Sequence, residues 1–134
     1  DNEYLPHNHV KNSVVYPGTH DNTTITAWWE SAATPKEKAT AAAYLHLTGA
    51  HPTAKEVAAV KTADARTALL RAALGSVADR AIIPMYDWLG LGEKAHLNTP
   101  GKLGGNWAWR AAAGFESKTL AKTIADECSV YCRV

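Results

Sequence analysis

Val14-Val15-Tyr16-Pro17-Gly18-Thr19-His20-Asp21-Asn22 is the stretch whose reading decides the fold. Its first three residues are two β-branched side chains and an aromatic, and Pro17-Gly18 closes them off. Such a run predicts a short buried strand ending in a turn. The polar residues Thr19 to Asn22 then sit at the strand's C-terminal end. Further on, Ala81-Ile82-Ile83-Pro84-Met85 predicts a second short buried strand. It too leads into a polar stretch, residues 86–110, punctuated by Gly90, Gly92, Gly101, Gly104 and Gly105. That stretch holds Asp87, Trp88, Asn98, Trp107, Trp109 and Arg110, which reads as a functional loop rather than a linker.

Helices fill the space between and after the strands. Thr34 is a natural N-cap, Pro35 suits the first helical position, and Glu37 completes a capping box. This helix runs through Ala41, Tyr44 and Leu45 and stops near Gly49. Thr53 and Glu56 repeat the capping-box spacing and predict a second, weaker helix. Asp64 is the expected cap of a third, which carries Leu69, Leu70, Ala73, Leu74 and Val77 at helical spacing. A closing helix is expected from about Ser117 to the C-terminus. Residues 1–13, broken by Pro6, Asn2, Asn8 and Asn12, read as a loop. The order strand, polar loop, helices, strand, polar loop, helix amounts to two βα units. It predicts an α/β fold with parallel strands and right-handed crossovers, whose chemistry sits at the C-terminal strand ends.

Composition narrows the function classes. A chain of 134 residues, 46% hydrophobic and 20% charged, makes a single segment with a buried core and argues against disorder. Fourteen basic and thirteen acidic residues leave a formal net charge of +1, so no strong field favours nucleic acid or an anionic membrane. No apolar run approaches the ~18 residues needed to span a bilayer. The first residue is Asp1 and the only methionine is Met85. No signal or transit segment is visible, and the expectation is a piece of a longer or processed polypeptide.

His20-Asp21 is the sharpest local feature. A carboxylate at a strand end can act as base, nucleophile or electrostatic stabiliser, and the neighbouring histidine can donate to a hydroxyl. An Asx-turn flanked by Thr19 and Asn22 explains the same residues without chemistry. Five tryptophans (Trp28, Trp29, Trp88, Trp107 and Trp109) cluster in or beside the two loops. Their faces suit sugars, and core packing is the better explanation for at least half of them. His7 and His9 lack a third ligand nearby and read as loop histidines rather than a metal site. Cys128 and Cys132, four apart on the closing helix, read as two reduced, partly buried thiols sharing a face. No phosphate-binding, dinucleotide-binding, nucleophile-elbow or zinc-protease motif is present.

Several motifs in order resemble one family. Tyr4-Leu-Pro-His-Asn8, Val14-Val-Tyr-Pro-Gly-Thr-His-Asp-Asn22 and Trp28-Trp29 are similar to the C-terminal part of 4-α-glucanotransferase, also called amylomaltase or disproportionating enzyme. Ile82-Ile-Pro-Met85 with Asp87, Leu89-Gly-Leu-Gly92, Asn98-Thr-Pro-Gly101, Gly105-Asn-Trp107 and Trp109-Arg110 continue the likeness. The ending Ser129-Val-Tyr131 with Arg133 most resembles the plastid-type enzyme of plants and algae. Residues 31–80 match only in general character.

The resemblance implies the C-terminal portion of a (β/α)8 TIM barrel, about strands seven and eight with their helices. It implies transfer of α-1,4-glucan segments between maltooligosaccharides in starch and maltose metabolism, with a plastid address, or otherwise a cytoplasmic one, and no cofactor or metal. Retaining enzymes of this kind use a nucleophilic carboxylate and an acid/base carboxylate about 5–5.5 Å apart. A third carboxylate holds sugar hydroxyls in the distorted state. By resemblance Asp21 is that third, transition-state-stabilising carboxylate. His20, Asp87 and Asn98 are expected to face the sugar, and Trp107 to help bind it.

The nucleophile and the acid/base belong to earlier strands and match nothing here, and a complete barrel takes about 250 residues. Catalysis is therefore expected to need the missing N-terminal part. The motifs also depart from the family's usual pattern. Thr23 stands for an Asp, Ile25 for a Thr, Ala27 for a Gly, Tyr86 for a Gln and Leu97 for a Met. Those departures support an alternative, a catalytically inactive fragment whose exposed barrel surfaces are covered by a protein partner in a larger assembly. A third reading is a glucan-binding module without turnover.

Overall fold

In a computed structural model describing residues 2–133, two short parallel strands are joined through a run of helices. β1 (Val14–Val15) pairs with β2 (Arg80–Ala81), Val14 opposite Arg80 and Val15 opposite Ala81. Ile82 N–H extends the ladder by donating to the Val15 carbonyl at 2.9 Å. The parallel pairing matches the expectation from sequence, because a helical crossover separates the strands. The strands' extent does not. The second starts one residue earlier than predicted and stops at Ala81. Pro84, with no N–H and φ near −59°, becomes the N-cap of a short helix containing Met85. Burial is also less than predicted. Val15 is buried, but Val14, Tyr16 and Ile82 are exposed.

The crossover begins with α1 (Ile25–Ala27), which continues directly into a π-helical turn over Trp28–Ala32. Thr24 caps this helix by accepting from Ala27 N–H at 3.1 Å. Next come α2 (Pro35–Tyr44), α3 (Ala54–Ala59) and α4 (Thr62–Leu74). Both predicted capping boxes form. The Thr34 hydroxyl accepts from Glu37 N–H while the Glu37 carboxylate accepts from Thr34 N–H, and Thr53 and Glu56 do the same. Each box leaves its glutamate with a pKa below the ordinary carboxylate value, because the carboxylate accepts a backbone N–H and a hydroxyl. Asp64 does not cap α4. Lys61 is the N-cap, and Asp64 lies in the first turn, where its charge suits the helix dipole. Val77 falls beyond the helix and is exposed.

The core has two centres. Val15, Ala73 and Ala78 pack with Ala81 and Ile83 behind the strands. Trp29, Ala42 and Ala65 pack with Trp28, Ala41, Leu47 and Val60 between the helices. Trp28 and Trp29 thus serve packing. Small alanines on α2 and α4 let the tryptophan-bearing turn approach closely.

After β2 come α5 (Met85–Trp88), a 3-10 turn over Glu93–Ala95 and irregular chain to Phe115. The last helix, α6 (Lys118–Val130), is capped by Ser117 and ends earlier than predicted. Cys132 N–H donates to Ser129 and Arg133 N–H to Cys128, a Schellman ending that puts Cys132 at φ +52°. Cys132 is therefore off the helix and exposed, so the two thiols do not share a helical face. Cys128 is half-buried, and both are free.

Arg133 then closes the C-terminal end of α4. Its guanidinium donates to the carbonyls of Leu74 (2.8 Å), Ser76 (2.6 Å) and Ala78 (2.8 Å). Arg71 and Glu127 add an exposed two-pronged ion pair between α4 and α6. Arg133→Ala strips three carbonyls of a charged donor and is expected to destabilise the native polypeptide by about 1–3 kcal/mol. Arg71→Ala is expected to cost under about 1 kcal/mol, as exposed pairs do. Urea midpoints compare the two, and an equal or larger loss for Arg71→Ala contradicts this ranking.

Candidate functional site

The polar loop after β1 and the chain after the 3-10 turn meet at the C-terminal side of the strands. Asn98 N–H donates to the His20 carbonyl at 3.1 Å. The Asn98 side-chain amide donates to Asp21 Oδ1 at 2.5 Å. His20 Nε2 lies 3.3 Å from the same oxygen. Oδ1 thus takes both contacts and leaves Oδ2 available to another donor. His20 and Asp21 are about half exposed, so the cluster is open to a ligand.

Trp107 completes this corner. Its ring centroid is 5.0 Å from that of His20, tilted by 39°. Its backbone stands at φ +61°, an uncommon conformation for an aromatic residue. Trp107 N–H donates to the Leu97 carbonyl at 2.6 Å, and Arg110 donates to the carbonyls of Trp107 and Trp109. The indole is more than half exposed. Four of the five residues expected from sequence, His20, Asp21, Asn98 and Trp107, therefore come together from segments up to 87 positions apart.

Asp87 is placed elsewhere. It is 2% exposed, and its Oδ1 accepts from Ile25 N–H, the first residue of α1, at 2.8 Å. Burial pushes its carboxyl up from 3.8 to about 6, while the Ile25 N–H and the Arg66 guanidinium pull it back. Tyr86 beside it is buried, and its hydroxyl is pushed up mainly by burial and then by the Asp87 charge. The Tyr86 ring meets Trp109 edge-on at 5.9 Å. Both residues act as packing and support rather than as groups presented to solvent.

Three partners, Arg66, Glu93 and His96, were not singled out by sequence reasoning. Arg66 lies against Gly90 so closely that a Cβ at that glycine would fall 1.5 Å from Nη1, and Gly90 also stands at φ +66°. Glu93 accepts from the Thr23 hydroxyl with one carboxylate oxygen and lies 3.2 Å from His96 Nδ1 with the other. Only the position of Glu93 just after Gly92, at the head of the glycine-rich stretch, hinted at it. Among the described residues no three His, Cys, Asp or Glu side chains are grouped to hold a metal. His7 and His9 are engaged instead with Tyr44 (2.9 Å) and Ser76 (2.7 Å).

What the fold and site define is an α/β segment with a carboxylate, an amide, an imidazole and an indole gathered at the ends of two parallel strands. A profile described as 4-alpha-glucanotransferase matches residues 1–116, and the chain belongs to that family. It is 41% identical, over its whole length, to a chloroplastic/amyloplastic 4-alpha-glucanotransferase of Arabidopsis thaliana, of which it covers 22%. It is 43% identical over 85% of its length to the 4-alpha-glucanotransferase of Thermus thermophilus, covering 22%, and 36% identical over 98% to that of Clostridium butyricum, covering 25%. Amylomaltase from Streptococcus agalactiae, solved in complex with acarbose, superposes with a TM-score of 0.78 at 28% identity. That match covers 96% of this chain and 23% of the amylomaltase. The chain thus spans about a quarter or less of the length of these relatives.

The burial of Asp87 has a pH signature. Its folded-state value lies above 3.8, so folding takes up a proton between about pH 4 and 6. Its contribution therefore favours the fold at the acid end and is lost as pH rises through about 6. Asp87→Asn keeps an acceptor for Ile25 N–H and is expected to flatten this part of the stability–pH curve. Asp87→Ala leaves that N–H unpaired and is expected to cost about 1–3 kcal/mol at every pH. Urea melts of the native polypeptide at pH 4 and 7 check both, and an unchanged slope in Asp87→Asn contradicts the assignment.

Proposed function

We propose that this chain forms the sugar-facing strand-end loops of a 4-α-glucanotransferase, as about strands seven and eight of a (β/α)8 barrel. The observation that carries the reading is the joining of Asp21 and Asn98, 77 residues apart, beside His20 and Trp107. Its substrate class is maltooligosaccharides and longer α-1,4-glucans. A plastid-type enzyme is the favoured form, supported by likeness to the chloroplastic/amyloplastic proteins of Arabidopsis thaliana and Solanum tuberosum.

The chemistry follows from charge. Glycosyl transfer with retention passes through an oxocarbenium-like state in which the sugar ring flattens and becomes positive. Its hydroxyls become stronger donors as that charge develops. The free Oδ2 of Asp21 then accepts more strongly from them than in the ground state, which is what lowers a barrier. Asn98 fixes the carboxylate through Oδ1 and His20 supplies a donor at its side. Trp107 offers an aromatic face to an apolar sugar face. Asp87 supports these groups from behind, through the first turn of α1. The nucleophile and the acid/base come from polypeptide outside residues 1–134.

Exposed apolar residues agree with additional covering polypeptide. Val14, Tyr16 and Ile82 are each more than 40% exposed along or beside the strands. A groove of about 840 Å³, lined in part by Tyr4, Val15, Tyr16, Trp28 and Tyr44, opens beside β1. The same surfaces also suit the second reading, a non-catalytic subunit covered by a protein partner. Thr23, Ile25 and Tyr86, standing where the family's usual pattern has an Asp, a Thr and a Gln, favour that reading.

Glucose release from maltotriose by the polypeptide isolated from its source is the test. The enzyme reading expects release, with Asp21→Asn lowering kcat by at least about 100-fold and urea stability unchanged. No release from a folded native polypeptide overturns it and supports the non-catalytic subunit.

A further inference from the structure

Two rungs join the loop after β1 to the chain before Trp107. On one, the Asn98 side chain donates to Asp21 and the Asn98 N–H to the His20 carbonyl; on the other, the Thr23 hydroxyl donates to Glu93. Thr23 and Asp21 lie two residues apart on one side. On the other, Glu93 and Asn98 are linked by a single 3-10 turn and a short extended step. That turn is stiff: Ala95 is 2% exposed, Ala95 N–H donates to Gly92 at 3.0 Å, and His96 N–H donates to Glu93 at 3.0 Å. The backbone then extends at His96 (ψ 131°) toward Asn98.

Glu93 therefore ties the start of this step to Thr23 on the facing loop and to His96, two residues before Asn98. One carboxylate oxygen takes the Thr23 hydroxyl, and the other faces His96 Nδ1. The His96 side chain is 13% exposed, and its Nε2 is buried without a hydrogen-bond partner among the described residues. Glu93 is thus the polar contact that orients the imidazole, two residues before the amide that meets Asp21. A buried ring held by one polar contact has nothing else polar to define its place. The Glu93 carboxylate itself is 65% exposed and makes no contact with Asp21, so it acts through its neighbours.

We propose that Glu93 is a positioning residue, which sets Asn98 against Asp21 by bridging Thr23 to His96 across the two loops. This deepens the glucanotransferase reading and rests on it for its kinetic consequence. The bridge does at a distance what a neighbouring packed residue does by contact. It restricts where the Asn98 amide can sit, and through it which way Asp21 presents its free oxygen. Misplacing such a group by a fraction of an ångström costs rate even where the fold survives.

The test uses the native polypeptide and the variants Glu93→Ala, Glu93→Gln, Asn98→Ala and Glu93→Ala/Asn98→Ala. Backbone amide exchange of residues 20–23 and 96–98 reads the bridge without reference to activity. Glu93→Ala is expected to speed exchange in both segments and leave β1, β2 and α4 unchanged. Unchanged exchange in both segments overturns the proposal, whether or not the protein turns over glucan. With maltotriose, Glu93→Ala is expected to lower kcat by about 10- to 100-fold with a smaller effect on KM. Glu93→Gln, which keeps an acceptor for the Thr23 hydroxyl, is expected to recover most of that loss. Because Glu93 works through Asn98, the double variant is expected to be little worse than Asn98→Ala alone. Fully additive losses overturn the proposal. Absence of glucose release from the parent polypeptide overturns the glucanotransferase reading instead, and the exchange result then decides Glu93 by itself.

Discussion

The rest of the structure depends on one buried hydrogen bond, from Ile25 N–H to the carboxylate of Asp87. It joins residues 62 positions apart, in a place where two strands of two residues each provide little pairing. A helix begins with N–H groups that have no partner within the helix. Thr24 satisfies one and Asp87, arriving from the other βα unit, satisfies another. The chain thereby fixes the start of α1 only four residues after Asp21. A carboxylate kept from water pays for this in desolvation, which is why its proton is held to about pH 6. Arg66, closing over Gly90, offsets part of that cost.

Beyond that anchor, three further contacts join the two βα loops: Thr23 with Glu93, Asp21 with Asn98, and the rings of His20 and Trp107. Asp87 alone of these groups is fully buried, and Glu93, Asp21, His20 and Trp107 are each about half exposed or more. The buried Asp87 lies beneath an open, polar rim. The proposed sugar site draws one solvent-facing carboxylate, Asp21, from the described residues, whereas retaining glycosyl transfer needs a nucleophile and an acid/base as well. Membership of the 4-alpha-glucanotransferase family, and a span of about a quarter or less of its relatives, account for that incompleteness.

What could be read from the sequence was what short spacing encodes. Thr34 with Glu37 and Thr53 with Glu56 are contacts between residues three apart, and both formed as expected. Parallel pairing of the strands followed from the helical run between them. His20 and Asp21 stood out as polar residues at a strand end, where an Asx-turn also explained them, and the likeness to 4-α-glucanotransferase pointed to their roles and to Asn98. The misses have the opposite character. Asp87 looked like another loop carboxylate, and nothing near it in sequence reveals that Ile25 takes it out of solvent. The Thr23–Glu93 contact spans 70 positions, and Arg66 reaches Gly90 from a different element. The end of α6 was misplaced because a cysteine, not a glycine, occupies the left-handed position that stops it. Strand length failed too, since Pro84 acts as a helix cap rather than as a strand residue.

The central claim is that Asp21, held by Asn98, presents its remaining oxygen to a sugar. A crystal structure of the native polypeptide soaked with maltotetraose tests it most directly. The account predicts a glucose hydroxyl within about 3 Å of Asp21 Oδ2, with the Asn98 bond to Oδ1 intact and the Trp107 ring against a sugar face. An ordered glucan bound elsewhere on the protein, with no contact to Asp21, contradicts it.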